Sequence, residues 1–256
     1  MGVALHTETR GDHGPRLVLV HGFTQNSRCW SPIDDDLARD HRLVLVDAPG
    51  HGGSSAVRAD LETGAGLLGA VGGRATYIGY SMGGRLALRL ALDRPELVER
   101  LILIGASPGI EDDRERDARR RADDRLADHL ESVGLAAFLD EWLAQPLFAG
   151  LDPAAAHRAA RLDNTVEGLS SSLRLAGTGT QQPLWDRLAE LTMPVLVVVG
   201  ALDTRFHRIG ERMRDAIGGN AELALIDGAG HAAHLEQPVA FAKLVRRWLT
   251  RTPITR

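Results

Sequence analysis

Short apolar runs that end in glycine, histidine or aspartate recur along the chain: LVLVHG from Leu17, LVLVDAPGHG from Leu43, TYIGYSMGG from Thr76, LILIGASPG from Leu101 and VLVVVGALD from Val195. Their apolar residues are consecutive, which predicts strands buried on both faces. Between several of them lie stretches of helical spacing, such as Gly83 to Leu92, where Leu86, Ala87 and Leu90 share one side. Strand and helix in alternation predict an α/β fold, a mostly parallel sheet flanked by helices. The alternation breaks after Pro108. Glu111 to Glu131 is highly charged, and helix-like segments follow to about Leu175 with no strand signal. Residues 109–180 are therefore expected to form a helical lid inserted into a single domain spanning 1–256. A strand pattern resumes near Met193. A helix around Gly210 to Ile217, a strand at Glu222 to Ile226 and an amphipathic helix from Pro238 to Leu249 complete the prediction.

Composition narrows the functional classes. With 256 residues, 44% of them hydrophobic, the chain can bury one sizeable core. Its 30 basic and 34 acidic residues leave a net charge of -4, and the arginines are scattered instead of forming a basic arm. Nucleic acid is not an expected partner. The single cysteine, Cys29, excludes an internal disulfide. The start MGVALHTETRG lacks the apolar core of a secretory signal, and no apolar stretch approaches the ~20 residues of a membrane span. A cytoplasmic protein without membrane attachment is expected. Histidine spacing offers no metal site, and nothing calls for a cofactor.

Gly79-Tyr80-Ser81-Met82-Gly83 fits a nucleophile elbow, a sharp strand-to-helix turn that exposes the serine hydroxyl. The motif follows an apolar run and precedes a helix pattern, as that geometry requires. A serine hydroxyl is too weakly acidic to react alone, so a histidine must accept its proton and a carboxylate must orient the histidine. In the order Ser, acid, His, the candidates are Asp203, after the strand from Val195, and His231, in Gly228-Ala-Gly-His. Asp227 and His234 are read as solvated or packing residues. The loop after the first strong strand, His21-Gly22-Phe23, is expected to supply the Phe23 amide to an oxyanion hole beside the Met82 amide. His21 itself is read as structural, and Asp47 to His51 as a supporting turn.

These motifs together (HGF, DAPGHG, GYSMGG, GALD and GAGH) resemble the α/β-hydrolase superfamily over nearly the whole chain. A finer resemblance is to the 2-succinyl-6-hydroxy-2,4-cyclohexadiene-1-carboxylate synthase family of menaquinone biosynthesis. It rests on GYSMGGR, on GASPGI with a following ER..R...D..LA, and on Phe138, Trp142 and Gln145-Pro-Leu-Phe148 in the lid. Asn164, Gly168-Leu169 and LRLAGTGTQ extend it. Thr24-Gln-Asn-Ser27 departs from the family, where glycines are often seen. The resemblance implies a lyase that expels pyruvate from a small-molecule polycarboxylate substrate. Arg85, Arg119 and Arg161 would bind its carboxylates through forked, charge-assisted hydrogen bonds, with Tyr80 and Trp142 packing on its ring. Solvated i,i+4 ion pairing is the competing role for the lid arginines. Two other functions share these residues: a serine hydrolase, either a carboxylesterase or a carbon-carbon bond hydrolase, and a non-catalytic ligand-binding protein on the same fold. The intact Ser81, Asp203 and His231 argue against the last.

Overall fold

All five apolar runs form strands in the computed structural model, which describes residues 3–253. In chain order the strands are β1 (Thr7–Arg10), β2 (Arg16–Val20), β3 (Arg42–Val46), β4 (Ala75–Tyr80), β5 (Val98–Ile104), β6 (Val195–Gly200) and β7 (Ala221–Ile226). They make one sheet ordered β1-β3-β2-β4-β5-β6-β7. Only β1 runs antiparallel to its neighbour. That strand is absent from the sequence-based expectation because Thr7-Glu-Thr-Arg10 is polar and only partly buried, as an edge position allows.

The helices are α1 (Ile33–Leu37), α2 (Leu61–Gly72), α3 (Met82–Asp93), α4 (Asp113–Val133), α5 (Leu135–Leu143), α6 (Arg158–Arg161), α7 (Val166–Ala176), α8 (Thr204–Ile217), α9 (Ala233–Glu236) and α10 (Pro238–Arg251). The pleat sends alternate side chains to opposite layers. Val18 and Val20 of β2 join a core with Leu68 of α2, Leu86 of α3 and Met213 of α8. Leu17 and Leu19 join the other core, with Ile33 of α1 and Phe241 and Trp248 of α10. Helix α8 starts at Thr204, earlier than the expected Gly210, because Asp203 caps it by accepting from the Phe206 amide.

Helix α2 contains four glycines and carries no helical signal by propensity. Two of them are explained by packing. A Cβ at Gly64 would stand 2.9 Å from Leu86 Cδ2, and one at Gly69 would stand 2.8 Å from Leu90 Cδ1. Both leucines are buried on α3, so close approach of the two helices offsets the roughly 1 kcal/mol that each glycine costs relative to alanine.

Helices α4 to α7 lie between β5 and β6, which are hydrogen-bonded neighbours. Leu130, Phe138 and Leu169 form a small core of their own there. Strand order reverses between β2 and β4, which opens a crevice at the carboxyl ends of those strands. Among the described residues no helix is long and apolar enough to cross a membrane.

Candidate active site

Ser81 stands between β4 and α3 with φ 49° and ψ -108°, a conformation that few residues other than glycine adopt. The tight turn dictates its neighbours. A Cβ at Gly83 would lie 2.1 Å from the Val20 carbonyl oxygen, and one at Gly79 would lie 2.5 Å from the Gly83 carbonyl oxygen. Glycine on both sides is therefore a packing requirement, and the serine side chain is left pointing into the crevice.

His231 follows β7, and its Nε2 is 3.3 Å from Ser81 Oγ. Its Nδ1 is 2.9 Å from Asp203 Oδ2. Burial works against ionisation of Asp203, but the hydrogen bonds from His231 and the Phe206 amide outweigh it and hold the carboxyl below its usual range. An ionised Asp203 only accepts, so the imidazole proton is assigned to Nδ1 and Nε2 faces Ser81 as the acceptor. Glu236 steadies the turn from behind: its carboxylate accepts from the Gly230 amide at 2.7 Å and the Ala232 amide at 3.0 Å. No motif in the sequence marks Glu236 for that role.

Phe23 follows β2, and Met82 opens α3 beside Ser81. Among the described residues, neither amide donates to another group of the chain. The polar residues after Phe23 that depart from the glycine-rich pattern each have structural work. Thr24, at φ 68°, takes a hydrogen bond from Arg161 at its hydroxyl and one from Asn164 Nδ2 at its carbonyl, 2.8 Å away. Gln25 accepts from the Gly22 amide at 3.0 Å, and Asn26 donates to the Ala160 carbonyl at 2.6 Å. The Ser27 amide donates to Asp47 at 2.7 Å. His21 is buried, with its ring nitrogens on Gly22 and Ala48, and His234 is buried between the rings of Trp30 and Tyr80. Both are structural.

Ser81 opens on a cavity of about 280 Å³ between the sheet and the inserted helices. Tyr80, Trp142 and Phe148 supply its aromatic wall, and Arg85, Arg119, Arg161 and Arg205 bring cations to it. Trp142 packs edge-on to Phe23, with ring centroids 5.2 Å apart, and its indole N–H has no partner in the chain among the described residues. Tyr80 is wedged against His231 and His234.

The arginines differ in their partners. Arg119 Nε donates to Asp123 at 2.7 Å, an i,i+4 ion pair, and both residues line the cavity. Arg85 and Arg161 are buried, yet among the described residues neither has a carboxylate within 4.0 Å. Arg85 Nη1 donates to Gln181 Oε1 at 3.2 Å, and Arg161 Nε to the Ala156 carbonyl at 2.7 Å. Burial, with Arg119 nearby, pushes Arg85 down to about 10, which leaves it charged at neutral pH. Arg205 was not foreseen. It lies exposed in the first turn of α8, two residues after Asp203, and only the three-dimensional course of that turn brings it to the rim. The site thus joins a serine hydroxyl facing a histidine nitrogen to an apolar wall and several cations.

Such a sheet and serine elbow define a class. The chain belongs to the alpha/beta hydrolase family, whose profile matches residues 17–244, and it is an enzyme of the lyase or hydrolase type. Within that class it is similar to the 2-succinyl-6-hydroxy-2,4-cyclohexadiene-1-carboxylate synthase of Serratia proteamaculans (strain 568), 33% identical over 92% of this chain and 93% of the relative. A Bacillus subtilis (strain 168) relative that carries the same name provisionally is 35% identical over 93% of both chains. The structure of MenH from S. aureus superposes with a TM-score of 0.90 at 30% identity, covering 96% of this chain and 98% of that one.

Proposed function

We propose that this enzyme is a carbon-oxygen lyase of menaquinone biosynthesis that eliminates pyruvate from 2-succinyl-5-enolpyruvyl-6-hydroxy-3-cyclohexene-1-carboxylate. One observation carries the reading: the hydrogen-bonded chain Ser81, His231 and Asp203 faces a cavity holding two buried arginines without carboxylate partners among the described residues. A tricarboxylate supplies the anions that such cations need. The named relatives support the same chemistry.

In this mechanism His231, oriented by Asp203, draws the proton from Ser81, and the serine oxygen removes the ring proton next to the succinyl ketone. Charge moves onto the ketone oxygen, where the Phe23 and Met82 amides receive it. Collapse shifts the ring double bonds to the 2,4 positions and breaks the carbon-oxygen bond to the enolpyruvyl group. Enolpyruvate leaves, takes a proton on carbon and becomes pyruvate. No acyl-enzyme forms. Arg85, Arg119 and Arg161 hold carboxylates, Tyr80 and Trp142 flank the ring, and the inserted helices act as a lid that keeps water out. A small polyanionic substrate that does not cross membranes unaided supports a cytoplasmic location for the enzyme.

The test is pyruvate release from the enzymatically prepared substrate, comparing the wild type with Ser81→Ala. Rapid release that is lost in the variant is expected. The strained Ser81 backbone also suits nucleophilic attack, so a serine hydrolase is the second reading. Absence of pyruvate together with an acyl adduct on Ser81 from an ester panel would establish that instead.

A further inference from the structure

We propose that Gln181 is the positioning residue of Arg85: it holds the guanidinium at the cavity through a neutral acceptor and leaves its full charge for a substrate carboxylate. The inference rests on the polycarboxylate reading above. Arg85 follows Ser81 by one helical turn, its amide donating to the Ser81 carbonyl at 3.1 Å, so this cation stands next to the reacting centre. A guanidinium this deeply buried needs acceptors, and a carboxylate is the usual one. Here the side-chain acceptor is the amide oxygen of Gln181, 3.2 Å from Nη1.

Gln181 is only 2% exposed, and its segment is fastened on the far side. The Leu184 amide donates to the Pro108 carbonyl at 2.8 Å, and Trp185 Nε1 donates to the Gly109 carbonyl at 3.0 Å. Gly109 packs so close that a Cβ there would stand 3.2 Å from Gln181 Nε2. Because guanidinium offers only donors, the amide oxygen must face Arg85 and the NH₂ must face away. The charged groups around Arg85 are Arg119 and Asp123, which pair with each other. A glutamate at 181 would repeat the Arg119–Asp123 arrangement and cancel the charge that the glutamine preserves. Neutral orientation at one arginine and ionic orientation at the other give the cavity its surplus of positive charge.

The test uses the Ser81→Ala protein, which binds without turnover, and measures the substrate Kd by calorimetry with Gln181→Glu and Gln181→Met added. Both replacements match glutamine in length. The glutamate variant is expected to raise Kd at least tenfold and to flatten its salt dependence, and the methionine variant only two- to fivefold. In an Arg85→Gln background the glutamate effect should shrink to under twofold, which a packing role would not produce. If the glutamate variant does not fold, the methionine variant and its loss of effect in the Arg85→Gln background decide alone. Equal weakening by both replacements, or none by either, overturns the role of Gln181 while the site reading stands. No binding by the Ser81→Ala parent overturns the polycarboxylate reading, and this role with it.

Discussion

Asn164 Nδ2 donates to the Thr24 carbonyl at 2.8 Å, while its Oδ1 accepts from the Gly52 amide at 2.9 Å. One side chain from the inserted segment thereby ties together the loops after β2 and β3, and the first of these carries the Phe23 amide. Removing the tie should loosen that amide without touching Ser81. Asn164→Ala is expected to lower kcat about tenfold or more, with a smaller change in KM, because donor placement matters most to developing charge. Steady-state kinetics of pyruvate release, with a thermal melt as control, checks this.

Asp203→Asn is nearly isosteric but inverts the hydrogen-bonding demand on His231 Nδ1. The ring then has reason to carry its proton on Nε2, facing Ser81, where it cannot accept. Turnover should fall by roughly 10²–10⁴-fold with little loss of substrate affinity. A fall of less than tenfold in single-turnover experiments would assign the orienting acid elsewhere.

Gly83→Ala should fail for a steric reason independent of the chemistry. Its Cβ would sit 2.1 Å from the Val20 carbonyl oxygen, and backbone cannot swing aside as a side-chain tip can. A loss of about 3 kcal/mol or more in unfolding free energy is expected from chemical denaturation.

Stability should also depend on pH through two buried histidines. Burial, with His21 for the one and His231 and Arg161 for the other, pushes His51 and His234 down to about 3 from 6.5. The unfolded chain therefore binds protons between those values that the folded protein does not, and stability falls as pH drops below about 6.5. From neutral pH to pH 5 the loss is about 2 kcal/mol per histidine, continuing toward pH 3. Urea midpoints at the two pH values test it, and His234→Phe should flatten the decline.

What the sequence revealed followed burial and chain-local geometry. Strands β2 to β6 were legible because both faces are covered, and Ser81, Asp203 and His231 because each follows a strand end in the required order. Strand β1 was not, since a polar edge strand lacks any apolar periodicity. Helix α2 was hidden by glycines whose reason is the approach of α3. Gln181, Glu236 and Arg205 stayed out of the expected site for a different reason: Gln181 meets Arg85 across much of the chain, Glu236 acts on backbone amides, and Arg205 reaches the rim only through the turn of α8. Chain-local patterns carry no record of such meetings.

Ser81, Asp203 and His231 stand on the loops that follow the carboxyl ends of β4, β6 and β7, whereas Arg119, Trp142 and Arg161 belong to the one continuous stretch between β5 and β6. That stretch leaves and re-enters through adjacent parallel strands. Recombination at two neighbouring crossover points could therefore exchange it whole while the reactive groups and their strands stay in place. Diversification of such a scaffold can proceed by swapping a cassette, and a chimera that takes this segment from another family member should inherit the donor's appetite together with the recipient's chemistry.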